Sequence, residues 1–294
     1  MPSDEGAPPG LVYACMTHVP LWVRFPDYVT TIHLGEAQGE GRLNLRDLAP
    51  EWEPHHPVLG GTAGSFALKN YLRRHRPDAT RVGICQYRKF VSRRRISGVP
   101  DPKYRAMDVV PKATVDGPQF AELLSPGDAP FVLSAPRRFT RLPWYRRGYL
   151  KEYARDHHVE DFLRFTAQAV EQGVLTDREV LAFFREDVIV PGGVELGVFP
   201  VDFWLRSIES VERVVRACVE QHAVTREAYQ ARVWSFCAER LGSYLLLKHL
   251  RSEVAGPLTR HVEWLNRRQW VRRHVGQLNL IVDSDAHAGY RGGT

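Results

Sequence analysis

The chain has 294 residues, 44% hydrophobic and 11% aromatic, enough to bury a substantial core within one elaborated domain. No stretch approaches the ~18 uncharged apolar residues of a membrane span, and Met1-Pro2-Ser3-Asp4-Glu5-Gly6 lacks a signal peptide's apolar run, so a cytoplasmic protein is expected. The net charge of +6 comes mainly from arginine, whose forks hold phosphate bidentately; nucleic acid, a nucleotide-sugar or anionic lipid would fit, as would a codon bias without functional content.

Residues 1–10, rich in proline, glycine and acid, are expected to be disordered. Leu11 to Met16 is an unbroken apolar run stopped by Thr17-His18-Val19-Pro20, the pattern of a buried first strand and a loop. A second extended piece, Tyr28 to Leu34, ends at Gly35 and opens into a loop bearing Gly39 and Gly41. Gly60-Gly61-Thr62-Ala63-Gly64-Ser65 predicts a turn, and Phe66 to Arg74 a helix whose basic end suits its dipole.

Arg81 to Phe90 reads as one strand whose far end, Gln86-Tyr87-Arg88-Lys89, turns polar and basic. Side chains at such strand ends face the ligand crevice of an open sheet. Residues 93–118 predict a long loop, Pro130 to Ser134 a short buried strand, and Leu150 to Gly173 a helix with Tyr153, Phe162, Leu163, Ala169 and Val170 on its apolar side. Thr176-Asp177-Arg178-Glu179 is a capping box that starts another helix.

Asp187 to Gly193 and Val194 to Phe199 predict extended segments around a glycine turn, and helices follow over 202–221 and 226–251, the second capped by Thr225. In that last helix Arg240 falls on the apolar stripe of Tyr229, Val233, Phe236, Cys237, Leu241 and Tyr244. A charge placed there requires a partner: Glu239, an acid on another element, or a ligand phosphate. The cysteines, Cys15, Cys85, Cys218 and Cys237, lie in separate apolar segments with no Cys-x-x-Cys pair, which predicts buried thiols.

This order of elements predicts an α/β fold, with a mainly parallel sheet flanked by helices and a helix-rich C-terminal half. Residues 11–254 would form the domain. Residues 255–294 would be a basic extension packed on or near it, carrying Arg260, Arg267, Arg268, Arg272 and Arg273 among Trp264 and Trp270.

Five short segments in one order, spanning roughly 11–250, resemble a domain-of-unknown-function family of capsular-polysaccharide-type glycosyltransferases. Thr17-His18-Val19 is similar to the family's Thr-His-Lys after its first strand, and Gly61 to Asn70 to its Leu-Thr-Ala-Leu-Tyr-Trp-Ile-Trp-Lys-Asn segment. Gly83-Ile84-Cys85-Gln86-Tyr87-Arg88-Lys89-Phe90 resembles its Gly-Leu-x-His-Tyr-Arg-Arg-Tyr/Phe motif. Tyr153 to Asp161 looks like its tyrosine and histidine before an acidic pair, and Arg232 to Leu241 like its arginine-containing helix ending in Glu-Arg-Leu. The resemblance implies a GT-A-like fold and transfer of sugar from a nucleotide-sugar donor to a hydroxyl acceptor in polysaccharide or glycoconjugate assembly. The chain departs from the family at Gln86, where the motif has histidine, at Gly60, where a glutamate precedes the Leu-Thr pair, and at Glu195, where an asparagine opens a later strand. Altered specificity, or an inactive nucleotide-binding relative, would follow if either of the first two positions is catalytic.

Glycosyl transfer needs cations or a metal at the leaving diphosphate and a base at the acceptor hydroxyl. Under that reading Thr17, His18, Gln86, Tyr87, Arg88, Lys89, Glu239 and Arg240 are the donor-binding candidates, and Glu195, then Asp187 and Asp202, the candidate bases. A Mg2+ or Mn2+ site would fall at Asp283-Ser284-Asp285, which follows the apolar Leu278 to Val282 and precedes His287. Metal-independent transfer using arginines is the simpler alternative. Arg73-Arg74-His75-Arg76, Arg93-Arg94-Arg95 and the basic tail support a rival nucleic-acid-binding module, yet no groove-reading motif accompanies them and no nucleic acid is expected. The tail also suits peripheral docking on anionic lipid.

Overall fold

The computed structural model describes residues 8–96, 98–101, 106–115, 118–140, 147–254 and 274–282. Its first elements are β1 (Leu11–Thr17), β2 (Val29–His33), β3 (Leu43–Asn44), α1 (Leu45–Leu48), α2 (His56–Leu59), α3 (Gly61–His75), β4 (Arg81–Gln86) and β5 (Lys89–Ser92). There follow β6 (Val99–Pro100), β7 (Asp108–Pro111), α4 (Pro118–Leu124), β8 (Leu133–Ser134), β9 (Arg137–Arg138), α5 (Tyr149–Asp156), α6 (Val159–Glu171) and α7 (Asp177–Arg185). The last are β10 (Val188–Ile189), β11 (Gly197–Pro200), α8 (Val201–Gln221), α9 (Val233–Val254) and β12 (Val275–Val282). The expected fold class holds: a mixed, mainly parallel sheet is flanked by helices, and the C-terminal half is helix-rich. None of the described helices is long and apolar enough to cross a membrane.

The sheet runs β3-β2-β1-β4-β5-β12-β7-β6. Its first four strands are parallel, as are β12 with β7 and with β8. β1 is apolar throughout because both of its faces are covered. Val12, Ala14 and Met16 join the core built by α3 and α5 to α9, while Leu11, Tyr13 and Cys15 join a second core with Phe25, Phe90 and Phe120. Gly83 on β4 leaves room for the ring of Tyr13: an added Cβ would stand 2.3 Å from it. We expect Gly83→Ala to lower stability by about 1–3 kcal/mol through overpacking, seen as a reduced urea midpoint with an unchanged slope.

Arg81 to Phe90 is not the single strand expected. Gln86 pairs with Lys89 across the two-residue turn Tyr87-Arg88. Among the described non-glycine residues only Ala228 has positive φ, so this turn is not of the primed kind that holds hairpin strands together. The hairpin accordingly splays after one pair. β5 continues against β12, and the vacated side of β4 is taken by β11 in antiparallel register. Val132 bridges Val198 and β8 pairs with β12, which closes the pairings into a ring. β12 falls within the stretch read as a C-terminal extension; here it is a sheet strand between β5 and β7.

Other elements differ in detail. Gly61 to Ser65, expected to be a turn, is the opening of α3. Its glycines serve close approach rather than reversal: a Cβ on Gly64 would meet Met16 at 2.9 Å, and one on Gly61 would meet Gln86 Nε2 at 2.8 Å. The helix expected over 150–173 breaks at His157-His158 into α5 and α6. The capping box at Thr176 opens α7 as expected. The last helix begins later than Thr225, with a 3-10 turn over Ala228–Arg232 leading into α9. The stretch 93–118 carries β6 and β7, and residues 1–7 of the expected disordered start lie outside the described residues. Gly10 is held by its carbonyl, which accepts from the N–H groups of Thr80 and Arg81 at 2.8 and 3.0 Å. All of the cysteines are free and buried.

Candidate functional site

The sheet order places a crevice. After β1 the chain builds β2 and β3 on one side, then returns through α3 to build β4 on the other. Loops leaving the carboxyl ends of such strands diverge, and ligands of open α/β sheets bind there. The two ends are Thr17-His18 and Gln86-Tyr87-Arg88. β11 enters opposite Ile84 and leaves opposite Arg81, so Glu195 reaches this edge from just before the strand. Asp202, just after it, belongs to the opposite edge, where Val201 N–H donates to Thr80 O at 3.0 Å. The antiparallel run of β11 thus places Asp202 away from the edge that carries Glu195.

One side of the crevice is basic and aromatic. His18 stands edge-on to Tyr87, ring centroids 5.0 Å apart, and 6.4 Å from His56 on α2. The Arg88 guanidinium lies 5.3 Å from the Tyr87 centroid. The turn that carries these groups is fixed by its backbone: Tyr87 N–H donates to Met16 O at 3.0 Å, and Ile281 N–H to Arg88 O at 2.8 Å. Gly35, at φ 51°, clears the ring of His56, which an added Cβ would meet at 2.8 Å. Burial, then the charges of Arg232 and Arg88, hold His18 below the usual imidazole range. Burial, His18 and Arg232 depress His56, against the opposing pull of Glu53. Burial also lowers Lys89, with Glu239 opposing and Arg88 and Arg232 adding to the effect. Among the described residues, no carboxylate forms an ion pair with Arg88 or Arg232.

The other side is acidic and hydroxylic. Glu195 Oε1 accepts from Thr62 Oγ1 at 2.9 Å, and Thr62 Oγ1 lies 3.0 Å from Ser235 Oγ on α9. One turn further, Glu239 Oε1 accepts from Gly192 N–H at 2.8 Å. Gly193, at φ 52°, seats this loop on α9, because a Cβ would come within 2.9 Å of Glu239 O. Burial pushes the Glu195 carboxyl up to about 8; the hydrogen bond from Thr62 pulls it down, and the charge of Glu239 adds to the rise. A carboxyl poised there exchanges protons near neutral pH, as a general acid or base requires. Thr62→Val should therefore raise the Glu195 pKa further, an effect that Thr62→Ser should not show. Titration of the 13C-labelled carboxyl by NMR checks this.

No protein-family model matches the chain, and no curated protein matches it in sequence. Among solved structures, the apo structure of the bifunctional glycosyltransferase WbbM aligns with 93% of this chain at a TM-score of 0.69 and 13% identity. This chain spans 45% of that one. The chain shares the fold of that part of the glycosyltransferase.

The remaining candidates divide. Thr17 is buried and shapes the loop, its hydroxyl donating to Val19 O and its carbonyl accepting from Leu34 N–H at 2.8 Å. Gln86 lies against the start of α3. Asp187 sits on the β9–β10 ribbon, 3.4 Å from Arg138, and joins none of the contacts above. Arg240 is 5% exposed: Nε and Nη2 donate to Glu152 Oε2 at 3.0 and 2.6 Å, and Nη1 to Phe236 O at 2.8 Å. It also lies 4.9 Å from the Tyr153 ring centroid. The partner demanded by the apolar stripe is thus an acid on another element, Glu152 on α5, one of the alternatives the sequence left open beside a ligand phosphate.

Asp283 and Asp285 lie outside the described residues. Among the described residues no group of three or more His, Cys, Asp or Glu could hold a metal ion.

Arg232, Ser235, Thr62 and His56 are the crevice residues that the sequence reading missed. A signal existed for two of them. Arg232, Ser235 and Glu239 recur at i, i+3 and i+7, on the side opposite the apolar stripe of α9. His56 had none, since only the fold brings α2 to His18.

Proposed function

We propose that the protein is a cytoplasmic nucleotide-sugar-dependent glycosyltransferase acting on a hydroxyl of a glycan, glycoconjugate or natural product. The observation that carries this reading is the crevice where β1 and β4 diverge, which sets cations that form no ion pair among the described residues on one side and a carboxyl poised near neutral pH on the other. Donor diphosphate would lie against Arg88 and Lys89, with Tyr87 and His18 flanking it. Glu195, once ionised, takes the proton of the acceptor hydroxyl as its oxygen forms a bond to the anomeric carbon. The bond from that carbon to the phosphate oxygen breaks, and the electron pair leaves with the nucleoside diphosphate. Guanidinium and ammonium groups stabilise the charge that develops there.

Within the described basic runs, four arginines meet carboxylates of the protein, while the basic tail at 255–273 lies outside the described residues. Arg73 pairs with Glu209, Arg76 with Asp78, Arg93 with Asp128 and Arg94 with Glu122.

A thermal-shift screen of nucleoside diphosphates and nucleotide-sugars, on the wild type and on Arg88→Ala, tests the proposal. A ligand that binds only the folded state raises Tm by mass action. The expected result is a rise with one nucleotide family that Arg88→Ala loses, followed by release of that nucleoside diphosphate when acceptor is supplied. Absence of any shift, alongside salt-sensitive binding of nucleic acid, would overturn it.

A further inference from the structure

The 3-10 turn Ala228–Arg232 packs on α2, the element that bears His56. Arg232 ends that turn one helical step before Ser235, whose hydroxyl lies 3.0 Å from Thr62, and on the same side as Glu239. Arg88 approaches His18 from the β4–β5 turn, beside Tyr87. The two guanidinium groups thus come from separate elements onto the His18–His56 pair. Arg232 lowers the pKa of both histidines and of Lys89, and Arg88 that of His18 and Lys89, so the positive charges converge on one volume. Glu239 and Asp101 are the carboxylates felt by Lys89, and Glu53 the one felt by His56, while among the described residues Arg88 and Arg232 form an ion pair with none. Like charges gathered in one place repel one another, and a bound anion relieves that repulsion.

We propose that Arg232 and Arg88 form the two walls of an anion subsite, floored by His18 and His56, that holds the diphosphate leaving group in the place of a divalent cation. The inference rests on the transferase reading for its ligand and adds a residue and a metal-free mode of holding it. As the anomeric carbon–oxygen bond breaks, the electron pair moves onto the departing phosphate oxygen, and the two guanidinium forks meet the charge with donors already in place.

Isothermal titration with nucleoside diphosphates and with inorganic pyrophosphate, in EDTA and again with Mg2+, tests this on the full chain carrying Arg232→Ala or Arg232→Lys. Arg232 is exposed and caps no core, so circular dichroism and Tm should match the wild type. The expected result is nucleoside diphosphate binding in EDTA, weakened roughly 10–100-fold by Arg232→Ala, the loss of one charge-assisted contact, and less by Arg232→Lys. Binding that requires Mg2+, or that is equal in Arg232→Ala and wild type, would overturn the subsite while leaving the transferase reading standing. Arg232-dependent binding of pyrophosphate with no nucleotide binding would uphold the subsite and remove the transferase reading. No binding of either probe in EDTA would overturn the subsite.

Discussion

Glu195→Gln should abolish transfer and, at alkaline pH, leave the protein more stable than the wild type. A positioned base contributes about 10²–10⁴-fold to rate, and glutamine keeps the shape and the acceptor for Thr62 while losing the proton site. The stability sign follows from linkage. A free glutamate titrates near ~4.3, whereas burial holds the folded Glu195 up to about 8. Between those values the folded state binds more protons than the unfolded, so stability falls as pH rises through that window. The glutamine variant lacks this fall. Comparing Tm at pH 6 and pH 9 for both proteins reads it directly. In the wild type kcat/KM should rise with pH along a limb centred near 8, because only the ionised carboxylate accepts the proton. Retention of transfer in Glu195→Gln would reduce Glu195 to a tie between β11 and α3.

Arg240→Ala should destabilise the protein strongly rather than selectively weaken donor binding. The guanidinium and Glu152 are both largely buried and satisfy one another, so removing the cation leaves a carboxylate without its partner inside the helical layer. Breaking a buried pair in this way costs about 3–5 kcal/mol, a large share of ordinary stability. Replacing both members by apolar residues of similar volume, Arg240→Met with Glu152→Met, should recover most of the loss, since a well-packed apolar pair is often as stable as a buried ion pair. Urea unfolding of the two single variants and the double variant supplies the cycle. Were Arg240 a donor ligand, its loss would raise KM at an unchanged urea midpoint, and the double variant would restore nothing.

Several elements were plain from local chemistry and others were beyond its reach. β1 shows as a continuous apolar run because both of its faces are covered, and α7 shows through its capping box. The β4–β5 hairpin was hidden, since Tyr87-Arg88 has none of the glycine or asparagine that marks a tight turn, and the splay it causes is read only from pairing. The glycines of α3 misled because glycine signals reversal in a sequence, whereas here it clears Met16 and Gln86. α6 starts after a break at His157-His158 that carries neither proline nor glycine.

At the site, Arg88 and Glu195 were accessible through their places at a strand end and beside a glycine turn. Arg240 was correctly read as needing a partner, but that partner lies 88 residues away on α5, and no local rule selects it. Arg232 and His56 acquire meaning only when the 3-10 turn before α9 meets α2.

The position of β12 also bears on how the molecule comes into being at the ribosome. β5 and β7 leave the exit tunnel long before β12, yet each keeps a hydrogen-bonding edge that β12 alone fills in the described sheet. Through the synthesis of most of the helical layer those edges stand open, ready to template with one another or with a neighbouring nascent chain. Closure of the sheet is a late, long-range event, of the kind that slows folding. Any truncation that ends after α9 would leave the two edges bare, and such a product is expected in the aggregated fraction of a lysate.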